Sequence, residues 1–133
     1  MKMPVLLLFA LVFSAFAEKP NIILVYVDDM GYGDASCLNP KSKFKTPHLD
    51  RLAREGIIFT DGHSSDTVCT PSRYGLITGR YAWRTTLKRG VMGAEGECLI
   101  ADGRVTLASF LRGQGYATAM VGKWHLGMDF PGT

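Results

Sequence analysis

The stretch from Ile22 to Val27 reads IILVYV, six apolar residues with no polar break. β-Branched and aromatic side chains without alternation suit a strand buried on both faces, as in a parallel sheet covered by helices. The run stops sharply at Asp28 and Asp29. Gly31, Tyr32, Gly33 and Asp34 follow as a polar, turn-rich loop.

Helix and strand signals then alternate. Thr46 and Pro47 read as an N-cap and first helical residue. Leu49, Leu52 and Ala53 supply one apolar face, and Gly56 is a natural stop. Ile57, Ile58 and Phe59 read as a short strand. Thr70 and Pro71 repeat the helix-start signal, with Leu76 and Ile77 on the inner face and Gly79 near the end. Residues 81–104 carry no clear period and read as a long surface loop. Thr106 opens a short helix with Leu107, Phe110 and Leu111 inward, ended by Gly113 and Gly115. Residues 116–121 (YATAMV) read as a second core strand, followed directly by Lys123, Trp124 and His125. The alternation predicts an α/β fold with a mainly parallel central sheet. Ligands of such sheets bind beyond the carboxyl ends of the strands. Asp28, Asp29, Lys123 and His125 are therefore expected at one rim. The chain stops at MDFPGT, after a site-like loop and with no closing element, so it reads as truncated.

The N-terminus reads as an address rather than as structure. Lys2 precedes the apolar run Val5–Phe13, and Ala15-Phe16-Ala17 places small residues where a signal peptidase cuts. The run is short for a membrane span. Residues 1–17 are thus expected to be a cleaved secretory signal, leaving residues 18–133 as an exported chain with no membrane segment. Formal net charge is +3, and loss of Lys2 leaves +2. That mild, scattered charge gives no argument for nucleic acid. The length suffices for one core. Three cysteines, Cys37, Cys69 and Cys98, are an odd number in an oxidising compartment, so at least one stays unpaired within the chain. Cys37 and Cys98 sit in turn-like surroundings that would allow a pair.

Three groups of residues carry possible chemistry. Asp28 and Asp29 are adjacent carboxylates; two such groups favour a proton or a hard cation such as Ca²⁺ or Mg²⁺. Taken alone, the same loop reads equally as a solvated turn with a helix cap. Cys69 precedes a helix start, where backbone N–H groups and the dipole favour an anion. Arg73, four residues on, adds fixed positive charge on the same side. A structural cysteine fits that position as well. Lys123 and His125 flank Trp124, either as a rim pair or as solvent-facing neighbours of a buried indole. His48 and His63 read as solvated. Trp83, Arg84, Lys88 and Arg89 read as surface that either faces a substrate or only water.

These motifs together resemble a known family. Cys69, Pro71, Ser72, Arg73, Leu76, Thr78 and Gly79 match the C-x-P-S-R-x-x-L-x-T-G signature of the type I sulfatases. Residues 115–125 (GYATAMVGKWH) match that family's second signature. PNIILVYVDDMGYGD resembles its metal-binding strand, and TPHLDRLAREGIIFT the helix and strand that follow. The resemblance covers essentially residues 18–133 and is closest to arylsulfatase-like members. It implies the N-terminal part of an alkaline-phosphatase-like sulfatase domain. It also implies that a separate formylglycine-generating enzyme reads C-x-P-x-R and oxidises Cys69 to Cα-formylglycine. One hydroxyl of the hydrated aldehyde would attack the sulfur of a sulfate ester, and the other would expel sulfate. Asp28, Asp29 and position 69 would bind one Ca²⁺. Arg73 would support the hydrate and the metal, Lys123 would hold the sulfate, and His125 would hydrogen-bond the nucleophile. The substrate would be a sulfated small molecule or carbohydrate. The family's further ligand pair, second His and second Lys are not in these residues, so the fragment alone is expected to show little activity.

Two other functions stay open at this point. A phosphonate or phosphate ester hydrolase could use the same modified cysteine. A non-catalytic exported fragment could keep the fold, although a binder has no need of a modification site.

Overall fold

A computed structural model describes residues 19–93 and 95–130. The expected leader, residues 1–17, lies outside the described residues.

Three α-helices organise the chain. Helix α1 spans Pro47–Glu55, α2 Cys69–Thr78 and α3 Leu107–Gly113, with 3-10 turns at Tyr32–Asp34 and Ala82–Arg84. Helix α1 begins and ends where its sequence places it. Pro47 sits at the start, Thr46 precedes it, and the Gly56 N–H bonds back to Leu52 O. The Thr46 hydroxyl does not cap its own helix. It meets Ser36 Oγ at 2.8 Å and donates to Asp50 Oδ1 at 3.1 Å. Ser36 Oγ also donates to Asp50, at 2.8 and 2.9 Å. The loop after Asp29 is thereby pinned to the first turn of α1. Bonds from Ser36 first, and from Thr46 after it, hold the Asp50 carboxyl below the usual carboxylate range. Helix α3 starts with a capping box between Thr106 and Ser109.

The core is small and built around α2. Tyr74, Ala82, Leu99 and Leu126 are buried together, with Ile77, Leu87, Met92, Ile100 and Trp124 packed against them. Burying each large side chain here contributes about 1.5–3 kcal/mol. Helix α2 packs on the Ala82–Arg84 turn and on α3. Segment 96–99 clasps segment 126–129. Leu99 N donates to Leu126 O at 2.8 Å and Cys98 N to Asp129 O at 3.0 Å. Gly127 makes this clasp possible. Its φ is 86°, and an added Cβ would lie 2.3 Å from Glu97 O. Residues 81–104, read from sequence as a surface loop, thus supply two core residues and half of the clasp.

The predicted parallel sheet is where structure and sequence part. Among the described residues no strand ladder forms, and only an isolated parallel bridge, Glu97 to Asp129, is present. The apolar runs 22–27, 57–59 and 116–121 lack helical structure as expected but are not buried. Ile23 is 87% exposed, Ile57 80% and Val121 99%. A run that buries both faces needs paired neighbours on both sides, and among the described residues no strand pairs with any of the three. Two of the runs do lie alongside each other. The Lys19 ammonium donates to Gln114 O, and Lys123 Nζ donates to Asp28 Oδ2 at 2.7 Å. Both links join residues 95 apart, so the two runs point the same way in one register. Lysine side chains, not backbone hydrogen bonds, span the space between them.

Two helix faces also differ from expectation. In α2 the buried residues are Thr70 to Tyr74 at the N-terminal end, whereas Leu76 is exposed. In α3 Leu107 and Phe110 are exposed as well. The polar first turn of α2 is buried because its polar atoms find partners. Ser72 Oγ donates to Asp66 O at 2.7 Å, and Thr70 Oγ1 accepts from Met92 N at 3.3 Å. All three cysteines are free, so Cys37 and Cys98 do not pair. No helix among the described residues is long and apolar enough to cross a membrane.

Candidate active site

Helix α2 begins with Cys69. Its N-cap, Val68, contributes no side-chain bond to the first-turn N–H groups. Those donors and the positive end of the helix dipole face the thiol's end of the helix. Lys123 Nζ approaches Cys69 Sγ at 3.2 Å and Asp28 Oδ2 at 2.7 Å. The sequence brings these three groups together from separate ends. Asp28 closes the first apolar run, Lys123 follows the last, and Cys69 heads the helix between them.

Arg73, one turn into α2, ties the cluster together from below. Arg73 is buried, at 7% exposed. One arm donates to Asp28 Oδ1 at 2.8 Å and the other to Lys123 O at 2.7 Å. The Tyr26 ring lies 5.3 Å from the guanidinium carbon, a cation–π contact. Both Asp28 oxygens are therefore bound by cations. The Lys123 hydrogen bond first, and then that of Arg73, draw its pKa down to about 2. The same contact with Asp28, followed by that with Cys69, raises the Lys123 pKa and keeps the ammonium charged.

Asp29 sits beside this cluster at φ 56°, an uncommon left-handed conformation for a non-glycine residue. Carboxylate oxygens of Asp28 and Asp29 and the Cys69 sulfur all lie within 4.8 Å of one another. Two oxygen donors from adjacent acids suit a hard cation. Asp28 already serves two cations, so a metal at this point would share Asp28 and lean on Asp29.

His125 also has a positive φ, 56°. Its Nε2 donates to Met92 O at 2.9 Å, while Nδ1 is buried and has no partner among the described residues. The neutral tautomer that makes this bond leaves a bare acceptor at Nδ1. Met92 is a backbone bridge, because its N–H also donates to Thr70 Oγ1. Trp124, between Lys123 and His125, packs inward, with Nε1 donating to Gly127 O at 2.7 Å. His63 stands apart in solvent against Asp61, and His48 is exposed.

The structure thus gathers Asp28, Asp29, Cys69, Arg73 and Lys123 directly and joins His125 to them through Met92. Two contributors escaped the sequence reading. Tyr26 was visible as one of the aromatics in a strand-like run. The Met92 carbonyl leaves no trace in side-chain pattern at all.

An acid pair, a cysteine at a helix start and a Lys–x–His rim match one family throughout. The sequence model of the sulfatase family matches residues 20–132. The chain belongs to the sulfatase family. Curated sulfatases align across most of it. An N-acetylgalactosamine-6-O-sulfatase of Bacteroides thetaiotaomicron is 46% identical over 112 residues, 84% of this chain and 22% of the relative. Human steryl-sulfatase is 45% identical over 137 residues, 97% of this chain and 23% of the relative. Human arylsulfatase A is 44% identical over 114 residues, 86% and 22%. A solved structure of a Bacteroides thetaiotaomicron sulfatase, described in connection with glycosaminoglycan metabolism, superposes with a TM-score of 0.79 at 46% identity. It covers 87% of this chain and 24% of that one. The chain therefore spans less than a quarter of the length of these curated relatives. Within the sulfatase scaffold it carries the helix that presents Cys69 and the two runs whose ends meet at Asp28.

Proposed function

We propose that this sulfatase chain carries the nucleophile end of a sulfuric ester hydrolase, with Cys69 as the precursor of the attacking group. The observation that carries the reading is the Lys123 ammonium, placed between Cys69 Sγ and Asp28 at 3.2 and 2.7 Å. A cation at that point faces both the nucleophile and any tetrahedral oxyanion brought to it.

In this reading a formylglycine-generating enzyme converts Cys69 to formylglycine, whose hydrate supplies a hydroxyl for attack on the sulfur. Lys123 orients the sulfate oxygens and offsets the charge that grows on them. Arg73 supports the hydrate and the metal site. It fixes the Lys123 backbone and the Asp28 carboxylate from beneath, so that the ammonium is aimed. His125, with its free Nδ1, is the candidate to accept the nucleophile's proton or hydrogen-bond its hydroxyl. Asp28, Asp29 and position 69 would hold a Ca²⁺, which would supply Lewis-acid polarisation of the sulfate. Water enters, and an alcohol and inorganic sulfate leave. The relatives named above suggest a phenolic, steroidal or carbohydrate sulfate as substrate.

Two further expectations belong to the same reading. Residues 1–17 would direct export and be removed, leaving 18–133 as the N-terminal part of the catalytic domain. The shared register of runs 22–27 and 116–121 supports a parallel sheet in which another strand fills the space now bridged by Lys19 and Lys123.

The test is the mass of the tryptic peptide Glu55–Arg73 in protein from its own host, alongside hydrolysis of an aryl sulfate and an aryl phosphonate ester. An aldehyde at position 69, trapped by a carbonyl reagent, with preference for the sulfate supports the proposal. Preference for the phosphonate ester would reassign the substrate class. A bare thiol, in a host that matures other sulfatases, would remove the catalytic reading.

A further inference from the structure

A cavity of about 370 Å³, lined in part by Tyr74 and Met92, includes none of Asp28, Asp29, Cys69, Arg73, Lys123 or His125 in its wall. Its charged lining is one-sided: Arg80, Arg84 and Arg104 against a single acid, Glu97. None of the three arginines has a carboxylate within ion-pair distance among the described residues, where the four ion pairs involve other cations. Arg80 is the most constrained. Its Nε is buried without a partner, and one arm reaches only the Arg84 carbonyl, at 3.4 Å. Arg84 lies over the Trp83 ring at 5.2 Å, and Trp83 stacks on Tyr81 at 5.8 Å. The aromatic pair limits where that guanidinium can go. A buried donor without an acceptor is costly, and three like charges lining one cavity repel. Both penalties fall when an anion enters.

We propose that this cavity is a second oxyanion site, which takes a sulfate or phosphate group on Arg80, Arg84 and Arg104. A tetrahedral oxyanion offers several acceptors in the geometry that guanidinium forks match. Thr86 also lines the cavity, and its side chain carries a further donor. The group can arrive as a free ion or as a substituent on a multiply sulfated carbohydrate. The inference goes beyond the hydrolase reading and does not require it, since binding here uses no atom of Cys69, Lys123 or Asp28.

Cys98 lines the same cavity as a free, half-exposed thiol and serves as a local reporter. The full chain is treated with iodoacetamide, and modification of the tryptic peptide Gly90–Arg104 is followed by mass. At a sulfate concentration about ten times the dissociation constant, alkylation of Cys98 should slow roughly tenfold. Cys37 should be unaffected, and chloride at matched ionic strength should give no protection. The double variant Arg84→Ala/Arg104→Ala changes two exposed side chains and should abolish protection, whereas Arg84→Lys should retain part of it. Protection by inorganic sulfate alone identifies a free-ion site. Protection by a multiply sulfated oligosaccharide at much lower concentration identifies a chain-borne group. The proposal is overturned if neither slows Cys98, or if the double variant is protected as well as the parent. Absence of hydrolase activity would leave this result unchanged, so the two readings fail separately.

Discussion

Arg73 and Asp28 come from elements 45 residues apart and meet at 2.8 Å, with the arginine buried and the acid half open. The other guanidinium arm holds the Lys123 carbonyl. A single side chain therefore sets the spacing of all three segments that build the site.

Replacement of Arg73 by lysine keeps the charge but removes the planar fork. One of its two partners then loses its hydrogen bond, at a cost of about 1–3 kcal/mol. Urea unfolding of the variant should show this loss as a lower midpoint with the slope retained. An unchanged midpoint would mean that the fork contributes nothing to holding the segments.

The Lys123 side chain is half exposed, so Lys123→Met should leave the far-ultraviolet circular dichroism unchanged. Aryl sulfate turnover by the full protein should fall by about 10²–10³, the usual loss when one oxyanion donor is removed. Turnover within a factor of a few of the parent would take this ammonium out of the transition state.

The Asp50 carboxyl is lowered by its bonds from Ser36 and Thr46. A carboxylate with a depressed folded-state pKa stabilises the fold above the unfolded value. That contribution is lost as pH falls through the folded value. Stability should therefore decline with acid below the ordinary aspartate value of 3.8. In Ser36→Ala the Asp50 resonance, followed by carboxyl carbon NMR, should titrate closer to 3.8, and the acid loss of stability should shrink. Identical titrations in parent and variant would show that Ser36 does not hold the carboxylate.

Two glycines with positive φ separate conformational strain from collision. At Gly79, φ 64°, an added Cβ meets nothing within 4 Å, so Gly79→Ala should cost only about 1–2 kcal/mol of left-handed strain. At Gly127, φ 86°, the Cβ also strikes Glu97 O at 2.3 Å. Gly127→Ala should be clearly the more destabilising of the two in thermal melts and should loosen the clasp that holds Leu126. Equal effects would mean that the clasp yields without cost.

The helices were legible because their ends are written locally: Thr46-Pro47 and Gly56 for α1, Thr106 for α3. The site was legible because its residues sit at the ends of the runs or at a helix start, where α/β topology puts chemistry. Pairing was not legible. IILVYV states that a strand wants two neighbours, and a sequence pattern says nothing about which residues provide them. The inner face of α2 was read only in part, since Ile77 packs on the core as expected but Leu76 is exposed. Periodicity weighs Leu76 above Thr70 and Ser72, yet a polar side chain is buried readily once each donor and acceptor has a partner, and those partners lie outside the helix. Ala82 and Leu99 went unnoticed in residues 81–104 because isolated core residues have no period.

If Cys69 is matured as proposed, burial of Thr70, Pro71, Ser72 and Arg73 beside a half-open Cys69 imposes an order of events. A reagent that needs only the thiol can find it on the finished molecule. A reader that must also feel Pro71 and Arg73 has to arrive while the segment is still loose. Under the proposed maturation, modification and folding would run as competing clocks on one short stretch of chain. A molecule that closed α2 too soon would keep its sulfur until the helix opened again.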